Sequence, residues 1–396
     1  MTTSAHTIDH PARTGAGAAR PPRRSGGIFS STITLGRVGG VEIGLNWTWV
    51  FVFGLIVWSL AAVQFPDVLP GRSRGAYAVM GITAAAVFFS SLILHELGHA
   101  MEARREGMEI EGITLWLFGG VAKFAGEFPS AGAEFRIAIA GPLVSLLLGL
   151  GFVGCAVAWP GSGVVPTELE WLGYINLVLL VFNLVPAMPL DGGRMLRAAL
   201  WARSRDFTDA THRATRIGAV LATAIIAIGI LETVAGATQG LWLAVLGWFI
   251  LEAGRAEEQR AETRHALADV TVATLMTRTP VTVGADWTLA EVADRIAGTP
   301  RHGAYPALDH GTVVGLLPLH ALAQTGGADL WARRVREYVV RADSVPHFSP
   351  DTPAMAALDE LVESGVGRGV VVDQGRLVGI ISMTDVARAL ALGRPV

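Results

Sequence analysis

The chain has one cysteine, Cys155, in 396 residues, and only 16% of its residues are charged. A lone thiol excludes an intramolecular disulfide, and its apolar surroundings predict a small buried hydrophobe. Soluble domains carry about 25% charged residues. The shortage of charge, with 51% hydrophobic residues and a mean hydropathy of +0.46, therefore predicts that much of the chain is solvated by lipid. A net charge of −3 gives no reason to expect a nucleic-acid partner. The opening "MTTSAHTIDHPARTGAGAARPPRRSGG" lacks the apolar region that a secretory signal needs after its basic residues. It reads as a disordered basic tail over 1–27.

Long apolar runs are plentiful. Six stretches approach the roughly 20 residues of a bilayer-spanning helix: 47–64, 77–101, 133–158, 172–190, 216–235 and a shorter one at 240–254. Arg13, Arg20, Arg23 and Arg24 precede the first; Arg104, Arg105 and Lys123 follow the second; Arg194, Arg197, Arg203 and Arg205 follow the fourth. The alternate loops carry Arg72 and Arg74 or no basic residue, so the positive-inside rule places both termini in the cytoplasm.

Two segments outside the spans look like strands. "STITLGRVGGVEIGLNW" has β-branched residues around Gly39-Gly40, which predicts a hairpin before the first span. "GITLWLFGGVAKFAG", 112–126, is too short to cross as a helix and too apolar for a solvated loop. It is expected to be β-structure dipping into the membrane, where protein or a water-filled cavity satisfies its backbone. After Arg255 the sequence becomes charged, a helical linker over 256–268. Beyond it, "GTVVGLLPLHALAQ" and "GRLVGIISMTDVARAL" are repeats, which predicts two modules of about 60 residues that pack as a pair. The expected boundaries are 28–255 for the membrane domain, 269–328 for the first module and 329–396 for the second.

The chemistry is concentrated in "SLILHELGHAMEARREG". His95 and His99 are four apart and share one helix face. With Glu96 they form His-Glu-x-x-His, in which two imidazoles hold zinc and the glutamate takes a proton from water. Ionisable groups within a span are costly and mark function. A catalytic zinc wants a third protein ligand. Asp191, in "NLVPAMPLDGGRM" where prolines 186 and 189 interrupt the fourth span, either caps the next helix or supplies that ligand; the incomplete two-histidine site favours ligation. Asn183 either donates to a developing oxyanion or bonds backbone freed by the prolines.

The His-Glu-x-x-His on the second span, with Asn-x-x-Pro-x-x-Pro-x-Asp-Gly two spans later, resembles the site-2 protease family of intramembrane metalloproteases. The resemblance implies zinc on His95, His99 and Asp191, Glu96 as general base, and Asn183 near the scissile carbonyl. It also implies a membrane-embedded β-structure beside the cleft. Leu115, Phe118, Gly119 and Gly120, in "LWLFGGVAKF", are the candidates there to receive an unwound substrate by strand addition. A transmembrane protein would be cut near the cytoplasmic face in a prokaryotic cell membrane, with an anti-sigma or pro-sigma factor as the implied substrate.

The repeated tail resembles a pair of cystathionine-β-synthase-type (CBS) modules, which implies adenine nucleotide (ATP or AMP) on Ser382 and Asp385, and a homodimer through the modules. The corresponding Pro318 and Ala321 of the first repeat lack a hydroxyl and a carboxylate. The expected fold is an α-helical polytopic membrane protein of about six spans with β-hairpin elements, followed by a soluble α+β tandem CBS domain that regulates it. Two other classes were weighed. A nucleotide-gated transporter or channel with a structural metal would spread polar residues over several spans. A non-haem iron oxygenase would use two histidines and a carboxylate but gives Glu96 no role.

Overall fold

The computed structural model describes residues 32–38, 40–116, 119–125, 128–296, 303–319 and 331–392. The basic tail and Phe118 lie outside the described residues. Two compact units divide between Asp269 and Val270.

The first unit opens with the expected hairpin, β1 (Thr32–Val38) and β2 (Val41–Asn46), closed where Val38 faces Val41. Helix α1 (Thr48–Ser59), one π-helical turn (Leu60–Gln64) and α2 (Phe65–Val68) form the first apolar crossing. Helix α3 (Arg74–Arg105) follows. Ser73 caps its start by accepting from the Ala76 N–H, and Arg104 and Arg105 complement the dipole at its end. Gly107, at φ +83°, then turns the chain into β3 (Glu109–Trp116), which pairs with β4 (Gly119–Ala125).

The two hairpins form one sheet. β2 pairs in parallel with β3, Ile43 opposite Ile113 and Leu45 opposite Leu115, giving the order β1-β2-β3-β4. A parallel pair needs a long crossover, and α1 to α3 supply it. Ile43 and Ile113 are both buried, and half-buried Leu45 lies opposite buried Leu115, with Ile113 and Leu115 each 1% exposed.

Three further apolar helices are long enough to cross: α4 (Ala131–Ala158), α5 (Val164–Asn183) and α7 (Phe207–Val234). With Thr48–Val68 and α3 they make five such helices among the described residues. The span expected at 172–190 is displaced: α5 starts at Val164 and stops at Asn183, because Pro186 and Pro189 cannot donate to a helical ladder. The expected sixth span and the expected linker are one helix, α8 (Gln239–Leu267), whose charged second half merely extends its apolar first half. Between α5 and α7 lies α6 (Asp191–Ser204). Cys155 is exposed rather than buried; it projects from α4 on the same helix as the exposed Val157, as a lipid-facing residue would.

The second unit holds α9 (Val272–Leu275), β5 (Thr277–Arg278), β6 (Val283–Gly284), α10 (Leu289–Ile296), β7 (Ala304–Asp309), β8 (Thr312–Pro318), β9 (Val340–Arg341), β10 (His347–Phe348), α11 (Ala354–Glu363), β11 (Arg368–Asp373), β12 (Arg376–Ser382) and α12 (Met383–Leu392). The repeat is visible in its turns. His310-Gly311 and Gln374-Gly375 each place two successive residues at positive φ, as a type I′ hairpin turn requires. The sheets are ordered β6-β7-β8-β9 and β10-β11-β12-β5. Each sheet therefore takes its last strand from the other repeat, and Ala304, Leu316, Val345, Val370 and Ile380 share one core. A cut at 328/329 would divide both sheets.

Candidate metal centre

Helix α3 carries His95 and His99 one turn apart on its buried face, 2% and 4% exposed, with their Nε2 atoms 3.2 Å from each other. Asp191, 7% exposed, completes a triangle: its Oδ2 lies 3.2 Å from His95 Nε2 and its Oδ1 3.3 Å from His99 Nε2. Ligand atoms about 2.0–2.1 Å from a tetrahedral zinc lie roughly 3.3 Å apart. The two imidazole nitrogens, and the carboxylate oxygen nearest each, are thus spaced as ligands of one zinc would be, with room for a further group.

The opposite ring nitrogens support this fit. His99 Nδ1 lies 2.6 Å from the Ile137 carbonyl oxygen, which can only accept, so the proton sits on Nδ1 and the Nε2 lone pair is free. His95 Nδ1 lies 2.8 Å from Ser145 Oγ, and a ligating Nε2 has the Nδ1–H donating to that oxygen. Ile137, Ser145 and Gly141 all belong to α4. A β-carbon on Gly141 would clash with the Nε2 atoms of both histidines. The missing side chain leaves open the volume that a metal would fill.

Asp191 is delivered by the break after α5. The chain turns through Val185 N to Phe182 O, Ala187 N to Val185 O and Leu190 N to Ala187 O. Gly192 and Gly193 then press against that turn so closely that a β-carbon on either would strike backbone of residues 184–188. Asp191 is the first residue of α6, with Leu190 at the N-cap and no side-chain cap bond. The capping role weighed for Asp191 is therefore excluded. Its carboxylate sits where the N-terminal dipole favours negative charge.

Glu96 follows His95 on the same turn and is partly exposed. Asn183 is the half-buried last residue of α5, at the break itself. Leu115 departs from expectation. Its side chain is buried against Phe89 and Leu92, and its backbone is paired with Leu45 on one side and Gly120 on the other. An interior strand has no free edge, so Leu115 cannot receive a substrate strand. Gly119 and Gly120 lie on β4, which is an edge of the sheet.

A buried ion network escaped sequence reasoning. Glu134, 0% exposed, accepts from Arg197 Nε at 2.7 Å, and Arg197 Nη1 reaches Glu257 at 3.2 Å. Arg197 also lies 4.7 Å above the Phe207 ring. These residues tie α4, α6 and α8 together beside the metal centre. Burial works against the Glu257 carboxylate, but Arg194 and Arg197 outweigh it and hold its pKa below the ordinary carboxylate range. His212 of α7 pairs with Glu258 of α8 at 2.5 Å.

In the second unit Ser382 and Asp385 do come together. Asp385 Oδ2 accepts from Ser382 N at 2.9 Å and from Ser382 Oγ at 2.6 Å. Both line a cleft of about 170 Å³ with Arg368 and Arg388 on its wall.

Comparison with known proteins gives consistent results. The sequence model of peptidase family M50 matches residues 83–167 and 161–227, and that of the CBS domain matches 272–325 and 335–392. Rip3 of Mycobacterium tuberculosis, named as a zinc metalloprotease, is 38% identical over 91% of this chain and 93% of its own length. A zinc metalloprotease of Methanocaldococcus jannaschii is 30% identical over 91% of this chain and 96% of its own. The solved structure of a site-2 protease from the same organism is 29% identical, covers 58% of this chain and 95% of its own, and has a TM-score of 0.41.

Proposed function

The chain belongs to peptidase family M50, the zinc metalloproteases of site-2 type, with a tandem CBS domain, and from that premise we propose how its own residues act. His95, His99 and Asp191 hold the zinc. The observation that carries this is the approach of the two Nε2 atoms to each other at 3.2 Å, with one Asp191 oxygen 3.2 Å from His95 Nε2 and the other 3.3 Å from His99 Nε2. Bound there, zinc would polarise a peptide carbonyl and acidify a water. Glu96 accepts the proton of the attacking water on its carboxylate and returns it to the leaving amine. Ser145 and the Ile137 carbonyl keep both imidazoles turned with Nε2 toward the centre. Asn183, at the break in α5, donates its amide to the carbonyl oxygen under attack.

The substrate is a transmembrane segment. A helix in lipid satisfies its own backbone bonds, so it must unwind before its carbonyls can be reached. The β4 edge at Gly119 and Gly120 takes the opened strand by main-chain pairing. Both termini face the cytoplasm of a prokaryotic cell, which the arginines beside the second and fourth spans support, and the cut falls near that face. The substrate class is a membrane-tethered anti-sigma or pro-sigma factor.

The CBS pair binds ATP or AMP, with Ser382 and Asp385 on the ribose and Arg368 and Arg388 near the phosphates. Regulation travels along α8. That helix runs unbroken from Gln239 to Leu267 and holds Arg197 of α6 through Glu257, so its displacement would be felt on the helix that begins with Asp191. Substitution Glu96→Gln tests the catalytic assignment. The variant should keep its zinc and accumulate uncut membrane substrate in its native membrane; cleavage at the unaltered rate would exclude Glu96 as the base.

A further inference from the structure

Behind the turn that carries Asp191 lies a second cavity, of about 310 Å³, between α7 and α8. Its apolar wall is made by Met188, Ile250 and Leu251, and its polar side by Thr215, Arg216, Arg255 and the His212–Glu258 pair. Thr215 is 6% exposed, yet its Oγ1 has no hydrogen-bond partner. A hydroxyl buried in this way leaves a donor and two lone pairs unused, at a cost that an occupant would remove. Arg216 is exposed, and no carboxylate forms an ion pair with it among the described residues. The other basic side chains nearby already have partners: Arg255 has Glu252 at 2.5 Å and His212 has Glu258 at 2.5 Å.

The depth of the cavity narrows the occupant. Its residues lie where α7 enters its apolar stretch, at Arg216, and where α8 becomes charged, at Arg255. That is the hydrocarbon edge, the layer in which lipid phosphates are concentrated. An unpaired guanidinium and a free hydroxyl on adjacent residues of one helix suit phosphate oxygens. The apolar wall suits the glycerol and first methylenes of a lipid. Basic pockets between membrane helices at this level are known to take anionic head groups.

We propose that this cavity binds the phosphate of an anionic phospholipid, through Arg216 and the Thr215 hydroxyl, with the acyl end against Met188, Ile250 and Leu251. The occupant sits against the turn that delivers Asp191. Gly254 makes the wall thin there, because a β-carbon on it would meet the Met188 carbonyl oxygen at 3.3 Å.

The test uses the full chain purified in detergent, titrated with dihexanoyl phosphatidylglycerol and followed by thermal unfolding. Parallel titrations use inorganic phosphate and dihexanoylglycerol, which lacks the phosphate. Phosphatidylglycerol should raise the unfolding temperature, dihexanoylglycerol should not, and inorganic phosphate should need a concentration at least about tenfold higher. Arg216→Ala and Thr215→Val should each raise the half-saturating lipid concentration about fivefold or more. Zinc content equal to that of the unaltered chain checks that each variant is folded. A lipid response unchanged in both variants would overturn the site. An equal response to dihexanoylglycerol would overturn phosphate recognition, and an equal response to inorganic phosphate would overturn the lipid as its source.

Discussion

Gly141 of α4 faces His99 of α3 so closely that a β-carbon on the glycine would clash with the imidazole Nε2. One missing methyl group thus keeps the space between two spans open at the point where the three donors converge.

Gly141→Ala should therefore empty the centre. The alanine fits the helix itself better than glycine by about 1 kcal/mol, so the helix should persist while the histidines are pushed aside. Zinc per chain, measured by mass spectrometry of the purified protein, should fall by at least about tenfold with helical content unchanged. Full zinc content would show that the imidazoles point elsewhere.

Ser145→Ala should have a milder effect of the same kind. Losing a partner that orients a ligating histidine weakens metal affinity about 10–100-fold. Competition with a graded series of chelators measures this directly. Affinity within twofold of the unaltered chain would mean that Ser145 does not orient His95.

Arg197→Met removes the charge that answers Glu134. Leaving one member of a buried pair unanswered costs about 3–5 kcal/mol, so the unfolding temperature should drop sharply. The double variant Glu134→Gln, Arg197→Met should recover much of the loss, since the fully buried Glu134 position then carries no charge and Glu257 keeps Arg194 nearby. Equal destabilisation in the single and double variants would argue that packing against Phe207, rather than charge, is what Arg197 contributes.

Much of this centre was readable because its signals are local. His95, Glu96 and His99 occupy one helical turn, so spacing alone sets them on one helix and its apolar setting marks them as functional. Asp191 was readable because prolines and a glycine pair surround a carboxylate at a span end. Glu134, Ser145, Arg197 and Glu257 were not. Each is a single polar residue on its own element, and its partner is fixed only when spans pack. In the sequence Arg197 counts among the charges that orient the chain, whereas in the fold it is only 2% exposed. The parallel pairing of β2 with β3 and the strand exchange in the CBS unit are likewise contacts between distant segments, which periodicity within either segment does not encode. Leu115 misled because an apolar strand residue can face either the core or a partner, and the alternation alone does not say which.

Asp385→Ala should weaken nucleotide binding in the CBS unit. The carboxylate holds both the backbone N–H and the hydroxyl of Ser382, so its removal loses one polar contact and loosens another. Calorimetry of the full chain with ATP should show affinity lower by about tenfold, in line with a hydrogen bond to a charged group worth roughly 1.5–3 kcal/mol. Equal heats for both proteins would place nucleotide elsewhere or nowhere on the chain.

The donor set itself is open to X-ray absorption at the zinc edge on the purified full chain. One zinc per chain should appear, with two imidazole nitrogens at about 2.0–2.1 Å and oxygen in the remaining shell, and the two-imidazole signature should disappear in His95→Ala. A chain that carries no zinc, or whose zinc keeps the same shell without His95, would contradict the assignment of His95, His99 and Asp191 as the metal centre of this protease.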